Sequence, residues 1–167
     1  AAQQVKLQMY TPNGTAAQQW TINKVSTPRE RMNAAADSHR KDLPDGTYMF
    51  GSKLKTSMKI DVAGASKSNG INVRLWNGNG TNAQKWKVTH DSNGYVTLTN
   101  VNSGKVLDVY GGSSANGANV QQYSSNNTYA QKWIAVKHSD ESYTFQSALA
   151  ENKVLDVSGA STSNGAN

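Results

Sequence analysis

The chain has 167 residues, room for one medium domain with a core of its own but not comfortably for two. Hydrophobic residues make up 36% and charged ones only 17%, with Gly, Asn, Ser and Thr plentiful, which excludes a disordered tail and argues for an all-β chain with many polar turns. The net charge of +6 and pI near 9.5 do not amount to a nucleic-acid surface: Lys24, Arg29, Arg31, Arg40, Lys41 and Lys53 lie in or near one segment, and the other basic residues are scattered singly without interleaved aromatics.

There is no cysteine, so neither a disulfide scaffold nor a thiolate metal site is expected. This absence does not decide the compartment. No run of about 18 apolar residues occurs, so no membrane insertion is expected either.

In chain order, Leu7-Gln8-Met9-Tyr10 leads through a polar loop to Gln18-Gln19-Trp20. Thr27-Pro28-Arg29-Glu30 then carries the marks of a helix start: a capping threonine, proline at the first helical position and glutamate at the third. Ala34, Ala35 and Ala36 favour continuation until Pro44, which predicts a helix at about 28–41. It has no broad apolar stripe, so residues 23–43 read as a helical linker or lid.

Short strands follow. Tyr48-Met49-Phe50, Tyr95-Val96-Thr97-Leu98-Thr99 and Tyr143-Thr144-Phe145 are β-branched or alternating runs at matching places. Asn93-Gly94 predicts a type I′ hairpin, a turn needing positive φ at both central residues.

A repeat organises these pieces. Asp61, Asp108 and Asp156 stand 47 and 48 residues apart, each in a similar strand followed by a Gly-containing turn and then Asn-Gly-x-Asn, at 69–72, 116–119 and 164–167. Two copies continue: Val73-Arg74-Leu75-Trp76 to Gln84-Lys85-Trp86, and Val120-Gln121-Gln122-Tyr123 to Gln131-Lys132-Trp133. The third continuation stands at the other end, as residues 7–20. About four strands per repeat, three times, predicts a closed all-β unit.

The three Gln-x-Trp tripeptides, in phase with three aspartates, resemble those of ricin-type β-trefoil lectins, over residues 44–167 and about 5–22. The resemblance implies an all-β trefoil of three pseudo-repeats of about 47 residues plus the one helix. Its domain would comprise residues 7–22 and 44–167, the N-terminal segment completing the third repeat. It places Trp20, Trp86 and Trp133 in the core around a pseudo-threefold axis. Gln18, Gln84 and Gln131 become structural hydrogen-bonders that also hold the sites.

Each family site is a shallow pocket in which a carboxylate accepts sugar hydroxyls, an aromatic face covers the C–H side of the ring, and amides supply donors and acceptors. Carried over, these are Asp61 with Trp76, Asp108 with Tyr123, and Asp156 with Tyr10. The aspartates can equally cap Gly-rich turns, and the aromatics can pack under loops. Typical members place Asn immediately before the tripeptide, where this chain has Ala17, Ala83 and Ala130. That departure leaves Asp61–Trp76–Asn82 as the best single site. Asn13, Asn79 and Asn126, in register across the repeats, either compensate or make the turn.

The implied function is a non-catalytic lectin module in a larger secreted or cell-surface bacterial protein, with tandem trefoils. Its partners would be glycans, galactose-type or another polysaccharide. The alternative is a spacer or protein-interaction module that has lost sugar binding. His39, His90 and His138 suggest neither catalysis nor metal binding, and no cofactor is implied. Residues 7–22 can close the third lobe within one chain, the closure favoured from sequence, or exchange between two chains in a domain-swapped homodimer.

Overall fold

Short β-branched runs separated by Asn-Gly turns favour short antiparallel strands over long ones. The computed structural model describes residues 7–9 and 11–167. Its strands are β1 (Gly46–Tyr48), β2 (Gly51–Ser52), β3 (Lys55–Val62), β4 (Ile71–Asn77), β5 (Trp86–His90), β6 (Val96–Asn100), β7 (Val106–Val109), β8 (Val120–Tyr123), β9 (Trp133–Lys137) and β10 (Tyr143–Ser147). They form one curled sheet in the order β1-β5-β6-β7-β8-β4-β3-β2, with β9 pairing both β6 and β10. The repeats fold into three lobes, here A (residues 44–90), B (91–137) and C (138–167). Equivalent contacts recur between them: Tyr48 pairs with Trp86 in lobe A as Val96 pairs with Trp133 in lobe B.

The core gathers on the pseudo-axis. Trp86 and Trp133 are each 1% exposed and pack with Val62, Leu98, Leu107 and Phe145. Each indole N–H is satisfied by a strand carbonyl, Trp86 Nε1 donating to Ile60 O at 3.1 Å and Trp133 Nε1 to Leu107 O at 3.5 Å. Trp20, expected to be the third member, is instead 70% exposed. The reason is positional: the segment that carries it lies outside the sheet, and the strands it would join keep an open edge.

That edge belongs to lobe C. Val154-Leu155-Asp156-Val157 forms one isolated bridge, Gln146 to Val154, as Val106 of β7 pairs with Thr99 of β6, but it lacks the four-residue ladder that β7 makes with β8. On the facing side, β1 and β2 are separate short pieces with Met49 exposed between them, so the predicted 48–50 strand is broken.

The helix α1 (Pro28–Ser38) has the expected capping box between Thr27 and Glu30. It ends earlier than 41, because the chain tightens into turns in which Arg40 N bonds Asp37 O and Asp42 N bonds His39 O. Its buried contact is narrow: Met32 and Ala36 pack on Tyr95, Ile134 and Ala148. Arg29 Nη2 adds a hydrogen bond to Ala148 O at 3.0 Å, and Arg31 forks onto Glu151 at 2.7 and 3.0 Å.

The hairpin at Asn93-Gly94 is present but is not type I′. Gly94 has φ of +94°, whereas Asn93 is not left-handed. Asp91 governs the turn, its Oδ1 accepting from Asn93 N and Tyr95 N, while Gly94 N donates to Asp91 O. A turn followed by a left-handed glycine, closed by Asp91 N donating to Tyr95 O at 2.9 Å, gives a three-residue loop in place of a two-residue one. Gly94 is required twice over: a Cβ here would meet Ala36 O of α1 at 2.5 Å.

Candidate functional site

Each complete lobe builds the same assembly from three pieces of chain. The Asp strand supplies the carboxylate, the next strand lays an alternate-residue face beside it, and a short 3-10 turn delivers the tripeptide Gln. In lobe A, Asp61 on β3 stands opposite Arg74 on β4, and Arg74 shares a face with Trp76 two residues on. Gln84, in the turn Asn82–Gln84, donates from Nε2 to Asp61 Oδ2 at 3.2 Å and to Asn77 O at 3.0 Å, and accepts from Asn79 N. In lobe B, Asp108 stands opposite Gln121, whose Nε2 donates to Oδ1 at 2.8 Å, and Gln131 Nε2 donates to Oδ2 at 3.0 Å.

Burial narrows what these carboxylates do. Asp61 and Asp108 are each 5% exposed, so they are joints between strands as well as acceptors, not carboxylates lying open in a shallow pocket. Desolvation by burial, outweighing the help of Gln84 and Arg74, raises the Asp61 pKa above its ordinary 3.8. Arg74 Nε lies 3.5 Å from Asp61 Oδ1, and that buried N–H makes no hydrogen bond of its own. Its guanidinium sits 4.0 Å from the Trp76 ring centroid, a cation–π stack that fixes both side chains at the lip of the site. Tyr123 projects from β8 in lobe B at 39% exposure.

Of the residues singled out from sequence, Asp61 meets Gln84 in lobe A and Asp108 meets Gln131 in lobe B, with Trp76 and Tyr123 two residues along the facing strand from Arg74 and Gln121. Asn82 does not join its group: it is exposed and bonds Lys85 Nζ on its own turn. Asn79 and Asn126 make the turn, each accepting through Oδ1 from the Thr81 or Thr128 N–H and hydroxyl. Ala83 and Ala130 are buried in the core, where no amide is presented to a ligand. In lobe C, Asp156 is exposed, Gln18 bonds only within its own loop, and Tyr10 lies outside the described residues. Arg74 and Gln121, each five residues after the start of Asn-Gly-x-Asn in its copy, were not singled out; strand register is what sets them opposite the aspartates. Among the described residues no group of three His, Cys, Asp or Glu side chains is placed to hold a metal ion.

A family model described as ricin-type beta-trefoil lectin domain-like matches residues 40–123 and 82–167. The chain belongs to this family. Among solved structures, this lectin-like chain resembles a designed threefold-symmetric protein, ThreeFoil, at 38% identity over 74% of this chain and 86% of that one, with a TM-score of 0.70. It also resembles an exo-β-1,3-galactanase from Clostridium thermocellum at 29% identity over 74% of this chain, with a TM-score of 0.67, although it spans only 26% of that enzyme. The Rhizoctonia solani agglutinin shares the fold at 22% identity, with a TM-score of 0.66 over 74% of this chain and 82% of that one. No curated protein matches the chain. The trefoil lectin fold is that of a carbohydrate-binding module, and no helix among the described residues is long and apolar enough to cross a membrane.

Proposed function

We propose that this ricin-type domain is a non-catalytic lectin module that takes galactose-type glycans at the lip formed by Trp76, Arg74 and Asp61, with a second site at Tyr123, Gln121 and Asp108. Gln84 and Gln131 hold the two carboxylates. Asp156, Gln18 and Tyr10 would make the third site once their lobe is complete. The observation that carries this reading is the Trp76 ring held at the lip by the Arg74 guanidinium, 4.0 Å from its centroid, beside the Asp61–Arg74 ion pair. With Nε sealed, the remaining guanidinium N–H groups of Arg74, whose side chain is 23% exposed, are donors for a sugar hydroxyl at this lip. The indole face next to it suits the apolar side of a pyranose. The galactanase similarity supports a galactose-type polymer, and such a module fits a larger secreted or cell-surface protein.

Single-site affinity is expected near millimolar, about −4 kcal/mol, with avidity from several sites. Glycan-array screening followed by titration calorimetry against galactose and β-1,3-linked galactan tests the assignment. Trp76→Ala and Asp61→Ala should each abolish binding in lobe A and leave lobe B intact. A folded protein that binds no glycan would instead be the spacer or protein-interaction module, a reading favoured by the buried Ala83 and Ala130.

A further inference from the structure

Lobes A and B are unlike in charge. Lobe A carries six lysines and Arg74 against two carboxylates, Asp45 and Asp61, whereas lobe B carries three lysines against Asp91 and Asp108. Pairing widens the gap. In lobe B, Lys132 is held by Asp91 at 2.9 Å and Lys137 by Glu141 at 2.6 Å. In lobe A, Lys53 is held by Asp140, and among the described residues Lys55, Lys59, Lys67, Lys85 and Lys87 make no ion pair.

The contrast reaches the sugar face itself. Lys59 and Asp61 of β3 and Arg74 and Trp76 of β4 share one face of the ladder, Lys59 opposite Trp76 and Asp61 opposite Arg74. In lobe B the same seats hold Val106 opposite Tyr123 and Asp108 opposite Gln121. The aspartate and the aromatic are kept, while an apolar side chain and a neutral amide give way to two cations. Arg74 is not there to clasp the aspartate. Gln121 does that in lobe B with a bond of 2.8 Å, whereas Arg74 Nε stays 3.5 Å from Asp61 and makes no hydrogen bond. Lys59 Nζ is engaged by Thr56 O alone at 2.8 Å, one acceptor for three donors. Asp61 is 5% exposed, against 23% for the Arg74 side chain and a half-buried Lys59, so this face shows solvent mainly positive charge.

We infer that the lobe A site takes an acidic sugar, one bearing a uronate carboxylate or a sulfate, with the oxyanion on the Arg74 guanidinium and Lys59 as the second charge. The lobe B site lacks this preference. The inference rests on the sugar reading of the lobe A lip and names the class of sugar within it. A guanidinium presents parallel N–H donors that match two oxygens of a carboxylate or a sulfate, and the ammonium adds a point charge of the same sign. The cation–π stack at 4.0 Å holds the guanidinium at the Trp76 ring, so a sugar that lies against this indole brings its acidic substituent to Arg74. Because the stems of both cations are partly buried, the pairing is less screened than one between fully exposed groups.

Titration of the full chain with galactose, galacturonate and galactose 6-sulfate tests it, followed by NMR at the Trp76 indole N–H for lobe A and at the Tyr123 amide for lobe B. At the Trp76 reporter an acidic sugar should bind about tenfold tighter than galactose, and at the Tyr123 reporter it should have no such advantage. The galacturonate and sulfate arms tell which oxyanion is taken; an advantage for either one supports the inference. Arg74→Gln installs the clasp that lobe B already uses, so the fold should persist and the preference should vanish. Lys59→Gln should reduce the preference about threefold. Equal affinities for acidic and neutral sugars at Trp76 would overturn the inference and leave the lectin reading standing. So would a preference that survives Arg74→Gln, or one of the same size at Tyr123. A chain whose reporters respond to none of the three sugars would overturn both.

Discussion

The tetrapeptide Val-Leu-Asp-Val occurs twice, at 106–109 and at 154–157, and the two copies meet opposite fates. In lobe B all four residues are buried and paired with β8 as β7, Val106 pairing with Thr99 of β6 as well. In lobe C, Val154 is 53% exposed where Val106 is 2%, and Asp156 is open to solvent where Asp108 is clasped by two glutamines. Local propensity is the same, so the difference lies in the neighbouring strand. An edge without its partner does not become a strand on the strength of its own β-branched residues.

The largest expected effect that would test this contrast is Trp133→Ala, which should cost about 3–5 kcal/mol by opening a cavity on the axis. Trp20→Ala, read by urea unfolding, should change stability by less than about 0.5 kcal/mol. Equal costs would mean that Trp20 is seated after all. Next comes Gln131→Ala, which strands Asp108 and the Asn126 N–H and should cost about 1–3 kcal/mol, against a much smaller loss for Gln18→Ala.

A subtler effect is the pH dependence of the lobe A carboxylate. Because the folded Asp61 pKa is raised, the native state holds a proton that the unfolded chain has released. Its contribution to stability is therefore full below about 3.8 and lost as pH rises through the raised value. Urea midpoints should show Asp61→Asn at least as stable as the parent at neutral pH, with that advantage gone below the unfolded value. The smallest effect is kinetic: backbone amides of residues 154–157 should exchange with solvent well before those of 106–109.

Much of this was legible in the sequence. Three aspartates and three Gln-x-Trp tripeptides in phase pointed to the trefoil, and the capping box at Thr27 located the helix start to the residue. What escaped depended on register. That Arg74 and Gln121 face the aspartates follows from which residues stand opposite across a ladder, and spacing along one strand does not reveal it. Trp20 was misplaced for a related reason. Membership of a repeat says which seat a residue fits, not whether the chain's path brings it there. The apolar part of the α1 docking is Met32 and Ala36 alone, too little to raise an apolar stripe. The buried state of Asp61 and Asp108 was hidden because the glutamines that cover them come from more than a dozen residues away.

The glycine under the helix has a consequence for symmetry. The turn of lobe C that corresponds to 91–95 is 138–142, closed by the same pair of bonds, and Gly94 is replaced there by Glu141, itself left-handed at φ of +63°. A Cβ at that place is the one atom that the carbonyl of Ala36 excludes. Two hairpins of matching backbone are thereby keyed differently, and α1 has one berth between them. A body that repeats itself three times around its axis thus acquires a front and a back in the order of its lobes, set by a single missing methyl group.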